Sequence, residues 1–273
     1  MKQLRKYTDT PLIGPVIKVL INFVVSRKAN QISQHFSEYL SPVVASDDTL
    51  KQQSYKIRHN VYCEELHFEN ARDDKMESDE FDTHSIHVLI KHIPTGKYAG
   101  TVRIVRSENK NQLLPIEKYC ISSISDDAVH PGDFPRSEIG EISRLTVPAQ
   151  FRKRATDKFQ GSATGVINEH VYSERELRCF PFIAVGLYLC AASTTRKYNI
   201  KHCFVMMEPR LARSLRFVGI FFKQVGPVVE YHGRRAPYYI NRDVMISSLT
   251  PGFKRMLKNI EKNLWHNSVI ESR

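Results

Sequence analysis

The stretch Glu141-Ile142-Ser143-Arg144-Leu145-Thr146-Val147 decides the fold. Its alternation of apolar and polar residues marks a strand. Side chains along a strand take opposite sides in turn, which puts Glu141 and Ser143 on one face and Ile142, Arg144 and Thr146 on the other. In a central strand an unpaired Glu or Arg costs on the order of several kcal/mol. The two charges therefore belong to an internal ion-pair network or to an active site, and the strand alone does not separate these readings.

Outward from this strand the pattern is mixed. Residues 31–60 read as a helix, and Tyr55-Lys56-Ile57-Arg58-His59-Asn60-Val61-Tyr62 continues its spacing, with Tyr62 one turn after Arg58. From Val61 to Phe81 the chain turns acidic, with Glu64, Glu65, Glu69, Asp73, Asp74, Glu77, Asp79 and Glu80, and reads as a surface loop. Ile86–Ile90 and Ala99–Val105 form a predicted hairpin around Pro94-Thr95-Gly96, with Arg103 in its second strand. Pro115–Tyr119 reads as a short helix, Pro181–Tyr198 as a long apolar one and Lys201–Met207 as a buried strand. Pro209–Phe217 is a helix with proline in its first turn, and Phe221–Ile240 a terminal hairpin. Alternating strands and helices imply an α/β fold with a mixed sheet and helices on its faces.

A chain of 273 residues with 41% apolar content buries a sizeable core, which excludes disorder throughout. The net charge of +11 implies an acidic partner, whether nucleic acid, an anionic membrane surface or an acidic carrier protein. The five cysteines, Cys63, Cys120, Cys179, Cys190 and Cys203, form no CxxC pair, and their odd number suits a reducing cytoplasm. Residues 1–30 are a separate basic and apolar arm. Its run Pro11–Val25 is shorter than the roughly 20 residues that span a bilayer and has no small-residue cleavage site. Basic flanks around 11–26 suit peripheral contact with the inner face of an anionic membrane, and equally a helix packed on the protein's own core. Residues 31–250 form the main domain and 251–273 a helical tail.

Arg58, Tyr62, Phe68, Asp79 and Asp82 in ESDEFD, His87, Arg103 in GTVRIV, and EISRLTV together resemble the acyl-homoserine lactone synthases in order and spacing. The same set occurs in the N-acyl amino acid synthases and in the PEP-CTERM/exosortase system-associated acyltransferases, the group it resembles most. The resemblance runs from Gln53 to Asn241 and takes in MEPRLARSLRFVG and GPVVEYHGRRAPYYI. It implies a GNAT-type acyltransferase fold, a mixed central sheet with splayed strands and helices on both faces.

The resemblance also implies roles. EISRLTV would splay from Lys201–Met207, and the freed backbone of Leu145, Thr146 and Val147 would accept the pantetheine arm of an acyl thioester. Glu141 would be the general base, since an ammonium must lose a proton before it attacks, and Arg144 would hold a carboxylate or orient Glu141. Arg58, Tyr62, Phe68, Asp79, Asp82, Arg103 and Ser143 would line the acceptor side, with carboxylates facing guanidiniums. Tyr62 and Phe68 stand where the lactone synthases carry Phe and Trp, which leaves the acceptor open. No glycine-rich pyrophosphate loop follows Val147; the basic run Arg152, Lys153 and Arg154 suits the phosphoserine of an acyl carrier protein over coenzyme A.

Asp79, Asp82, His84 and His87 match no zinc or calcium spacing, so no metal is assigned. No permanently bound cofactor is implied, only acyl carrier protein or acyl-CoA as co-substrate. Cys63 near His59 and Cys203 beside His202 have no evident orienting third group for thiol catalysis. Phe221, Phe222, Tyr231, Arg234, Arg235, Tyr238 and Tyr239 read as hairpin packing rather than a nucleic-acid surface, because no DNA- or RNA-binding signature accompanies them. The resulting expectation is a cytoplasmic N-acyltransferase acting on the amine of an amino acid or similar small molecule. The alternatives are a lactone synthase using S-adenosylmethionine and a non-catalytic membrane or nucleic-acid binding module on the same fold.

Overall fold

The computed structural model describes residues 32–152 and 183–266, apart from the side chains of Phe217 and His266. The arm 1–30 with the run 11–26, the pair Lys153 and Arg154, and Cys179 lie outside the described residues. The predicted helix over 31–60 is instead three elements. Helical backbone covers 32–39 (α1), Leu40–Val44 is a strand (β1), and Asp48–His59 is a helix (α2). β1 pairs on one side only, with Ser85–His92 (β2). That is where a strand tolerates the missing amide of Pro42. Asp47 starts α2 by accepting the Leu50 amide at 2.8 Å. α2 then runs on as a π-helical turn over Asn60–Glu65, so the acidic loop begins later than its composition suggests.

The sheet contains Tyr98–Arg106 (β3), Ile139–Thr146 (β4), His202–Met207 (β5), Lys223–Gln224 (β6), Val229–Glu230 (β7) and Arg234–Asn241 (β8). Its order is β1-β2-β3-β4-β5-β8-β6, with β7 paired to β8. All neighbours are antiparallel except β4 and β5. That parallel pair holds for Ile139↔His202, Gly140↔Cys203 and Glu141↔Phe204 and then ends, although both strands continue. β5 stays paired with β8 to Met207, so among the described residues the β4-facing edge of its last residues has no partner strand.

Beside the splay, β4 carries a bulge. Arg103 pairs with Ser143 but Thr101 with Thr146, so β4 has one residue more than β3, and Arg144 adopts φ 49°. A left-handed backbone at a bulky residue costs on the order of 1 kcal/mol, and a bulge re-aims the side chains beside it.

Two apolar layers hold the sheet. On one face, Val102, Ile104, Ile142 and Leu145 meet Phe36 of α1 and the helix Ile183–Lys197 (α4), with Pro115–Tyr119 counted as α3. Gly186 in α4 makes this possible, since a Cβ there would lie 2.5 Å from the Phe36 ring. The helices Pro209–Leu215 (α5), Arg242–Ser248 (α6) and Pro251–His266 (α7) contribute to the same layer. The expected C-terminal tail is thus part of the core. Phe253, Met256, Leu257, Ile260 and Leu264 of α7 follow helical spacing and are buried, each worth about 1.5–3 kcal/mol. On the other face, Val105, Ile139, Phe204 and Met206 pack with Phe81 and with Leu114, Ile116 and Cys120 around α3. α2 covers this second face nearer β2 and β3, where the Ser54 hydroxyl meets that of Thr101 at 2.7 Å.

Candidate active site

The splay opens a cleft between Ile142–Leu145 of β4 and Val205–Glu208 at the end of β5. Tyr62 of the π-helical turn, Tyr188 of α4, Leu211 of α5 and Arg235 of β8 complete its lining. Its volume is about 50 Å³, room for a water or two and not for a fatty chain.

Behind Tyr62 lies a network of three arginines and four carboxylates. Arg58, fully buried, donates Nε–H to Glu77 at 2.5 Å and makes a two-pronged contact with Asp82 at 2.7 and 3.1 Å. Arg103 donates to Asp79 at 2.5 Å, to Asp82 at 2.9 Å and to the Ser143 hydroxyl at 3.0 Å. Arg144 reaches Glu77 and Glu69 at 3.1 Å and Asp79 at 3.4 Å. Asp79 and Asp82 also cap the short helix Glu80–His84, which fixes the loop against the sheet. Burial alone would raise the carboxyl pKa of Glu77, but Arg58 and Arg144 pull it down to about 2. The same balance, with Arg58 and Arg103 as partners, holds Asp82 well below the usual carboxylate range. Burial opposes the charge on Arg144, yet Glu77, Asp79 and Glu69 raise its pKa. His87, buried beside Arg58, is pushed down to about 3 and is neutral.

Glu141 is different. It sits in the second apolar layer, 3% exposed, and its one hydrogen bond among the described residues is from the Ile116 amide to Oε2 at 2.6 Å. That amide lies in the first turn of α3, where helix N–H groups lack internal partners. Burial pushes the carboxyl up to about 8, because one amide and the more distant charges of Arg103 and Arg144 do not replace water. Tyr231, between β7 and β8, lies close enough to feel its charge; burial, with Cys120 and Glu141, pushes that phenol up to about 12.

Several expectations change. Strict alternation puts Arg144 opposite Ser143; the bulge turns it onto the same face, where it joins Arg103 and the loop carboxylates. Arg144 makes no hydrogen bond to Glu141, and its partners are Glu69, Glu77 and Asp79, so it neither orients Glu141 by contact nor stands free for a substrate carboxylate. Glu141 does not line the cleft itself; Ile142 and Ser143 do. Arg152 is buried and ion-paired with Glu65, so it is no exposed phosphate hand. Of the donor set, Leu145 lines the cleft, while Thr146 and Val147 are buried outside its lining. Tyr62 and Phe68 do form an aromatic pair, with centroids 6.4 Å apart, and the Arg144 guanidinium lies 5.3 Å from the Tyr62 ring. The thiols are unsuited to nucleophilic work, since burial raises Cys63 and pushes Cys203 up to about 12. Among the described residues no side-chain cluster suits a metal ion, and Asp79 and Asp82 are taken up by arginines.

Sequence reasoning missed Glu77, the carboxylate that bridges Arg58 and Arg144, because nothing distinguishes it from its acidic neighbours. It also assigned Tyr231 and Arg235 to hairpin packing, although one lies by Glu141 and the other lines the cleft.

Residues 57–160 match the family model described as Acetyltransferase (GNAT) domain. A search of curated proteins gives no match. Among solved structures, the chain is similar to BjaI, a CoA-dependent acyl-homoserine lactone synthase seen with SAM and isopentyl-CoA, at 15% identity and a TM-score of 0.55, over 80% of this chain and 89% of that one. It is similar to TofI in a ternary complex with an inhibitor and MTA, at 15% identity and 0.54, over 78% and 96%. It is also similar to FeeM, an N-acyl amino acid synthase from uncultured soil microbes, at 10% identity and 0.51, over 77% and 94%. At these identities the likeness is one of fold. The fold is of the GNAT type, and residues 57–160 carry the match to that domain. Among the described residues no helix is long and apolar enough to cross a membrane.

Proposed function

We propose that the protein transfers a fatty acyl group from a thioester, carried by acyl carrier protein or coenzyme A, to the amine of an amino acid or similar small molecule. The observation that carries this reading is the parallel pair that ends at Glu141 and Phe204, with a cleft at its divergence and a carboxyl of raised pKa at its root. The backbone of β4 beyond the splay offers amide groups that hold a pantetheine arm and polarise the thioester carbonyl. The acceptor binds on the side of Tyr62, Phe68 and Ser143, on a wall made rigid by Arg58, Arg103, Asp79 and Asp82. Arg144 completes that wall as a positioning residue.

In the step itself the amine nitrogen attacks the carbonyl carbon, the carbon–sulfur bond breaks, and the sulfur leaves with the electron pair. Glu141, through a water next to Ser143, takes the proton that the nitrogen loses; the thiolate takes its proton from solvent. Arg152 is occupied by Glu65, so the preference for carrier protein over coenzyme A rests on the net charge of +11, on Lys153 and Arg154 and on a sequence without a glycine-rich loop after Val147. Kinship with the PEP-CTERM/exosortase-associated acyltransferases, a cytoplasmic location and peripheral membrane contact through 11–26 belong to the same proposal.

The second reading is a lactone synthase. It is favoured by two similar structures, BjaI seen with SAM and TofI seen with MTA. Mass spectrometry of lipids made on overexpression separates the two: N-acyl amino acids support the first, N-acyl homoserine lactones the second. If neither accumulates over cells producing Glu141→Gln, the proposed activity is wrong.

A further inference from the structure

Arg235 is a cation in the cleft lining that the ion-pair network leaves out. Arg58, Arg103 and Arg144 each face two or three carboxylates. Arg235, only partly exposed, has no ion pair and no hydrogen bond among the described residues, and its Nε is buried without a partner. Its guanidinium lies 5.8 Å from the Phe68 ring, and its side chain lines the cleft with Tyr62, Ser143 and Arg144. Glu208, in the same lining, forms no salt bridge with it.

A guanidinium drawn out of water without a counter-charge is costly, and its planar fork of donors matches a carboxylate. Its position follows from the sheet. Ala236 pairs with Met207 at the open end of β5, which sets its neighbour Arg235 across the mouth of the splay from Arg144. Arg144 already faces Glu69, Glu77 and Asp79, so the guanidinium without a counter-charge is that of Arg235.

We infer that Arg235 binds the carboxylate of the acceptor, and so selects amino acids over simple amines. This rests on the acyl-transfer reading and names the group that the acceptor must carry. Phe68 and Tyr62 flank the site and exclude water, which strengthens a charge-assisted pair.

The test uses products, so it does not depend on the donor. N-dodecanoyl derivatives of glycine, serine, leucine and tyrosine, and the matching carboxamides, are titrated into the full chain by calorimetry. At least one carboxylate is expected to bind about 10- to 100-fold more tightly than its amide. In Arg235→Met, which keeps the side-chain volume, the carboxylate falls to the affinity of the amide. Equal binding of the two forms by the wild type, no binding of either, or a preference that survives in Arg235→Met overturns the inference. Wild-type turnover is assayed separately. A carboxylate preference without any N-acyl product refutes the proposed activity and leaves the Arg235 assignment standing.

Discussion

Glu77 and Glu141 are both buried, and their carboxyls are driven in opposite directions. Glu77 lies between Arg58 and Arg144 and is pulled down to about 2; Glu141 has one backbone amide in an apolar layer and is pushed up to about 8. The first gives an ion-pair frame that stays charged at any physiological pH. The second gives a proton carrier poised near neutrality, as a general base needs. What separates them is where the guanidiniums reach: the bulge brings Arg144 onto this face, where it joins Arg58 at Glu77, and neither donates a hydrogen bond to Glu141.

The largest expected effect comes from removing the poised group. Glu141→Gln should lower kcat about 10²- to 10⁴-fold with the fold intact, since the new amide oxygen still accepts from Ile116; turnover of an acyl thioester with an amine panel checks this. Next, Arg58→Met leaves Glu77 with Arg144 and Asp82 with Arg103 as their remaining partners and removes one buried positive charge from the network. It should destabilise by about 3–5 kcal/mol in urea unfolding at pH 7.

The pH responses should then have opposite signs. Glu77 and Asp82 have folded pKa values below their unfolded ones, so their stabilisation is full above about pH 4.5 and is lost as pH falls toward 2. Glu77→Gln should remove about 2–3 kcal/mol of that acid sensitivity. Glu141 has a raised folded pKa, so its burial costs nothing below about pH 4.5 and progressively more up to about pH 8. Glu141→Gln should be more stable than wild type by up to about 4 kcal/mol at pH 8, with the gap closing near pH 4.5 in thermal melts.

Most of the strands were legible from alternation and residue type. The splay and the pairing of Arg58 and Arg103 with Asp79 and Asp82 were expected from the resemblance to the acyl-homoserine lactone synthases, since an acidic loop by itself does not say which of its carboxylates are buried. What was not legible depends on backbone events without a strong sequence sign. A one-residue bulge moved Arg144 across the sheet, and β1 hid within a helical periodicity that only Pro42 interrupts. Glu77 could not be told from the other acids around it, because its burial is decided by where the loop lands. Arg152 looked exposed in a basic run and is buried against Glu65. Arg235 came from a hairpin whose aromatic residues masked the one side chain that turns into the cleft.

The central claim is that the Glu141 carboxyl keeps its proton to near neutral pH. Infrared titration of protein labelled with carbon-13 at glutamate side chains measures this directly, against Glu141→Gln as the blank. A protonated carboxyl band that belongs to Glu141 and disappears with a midpoint near pH 8 is predicted; disappearance near pH 4.5, with the other carboxylates, would contradict the account.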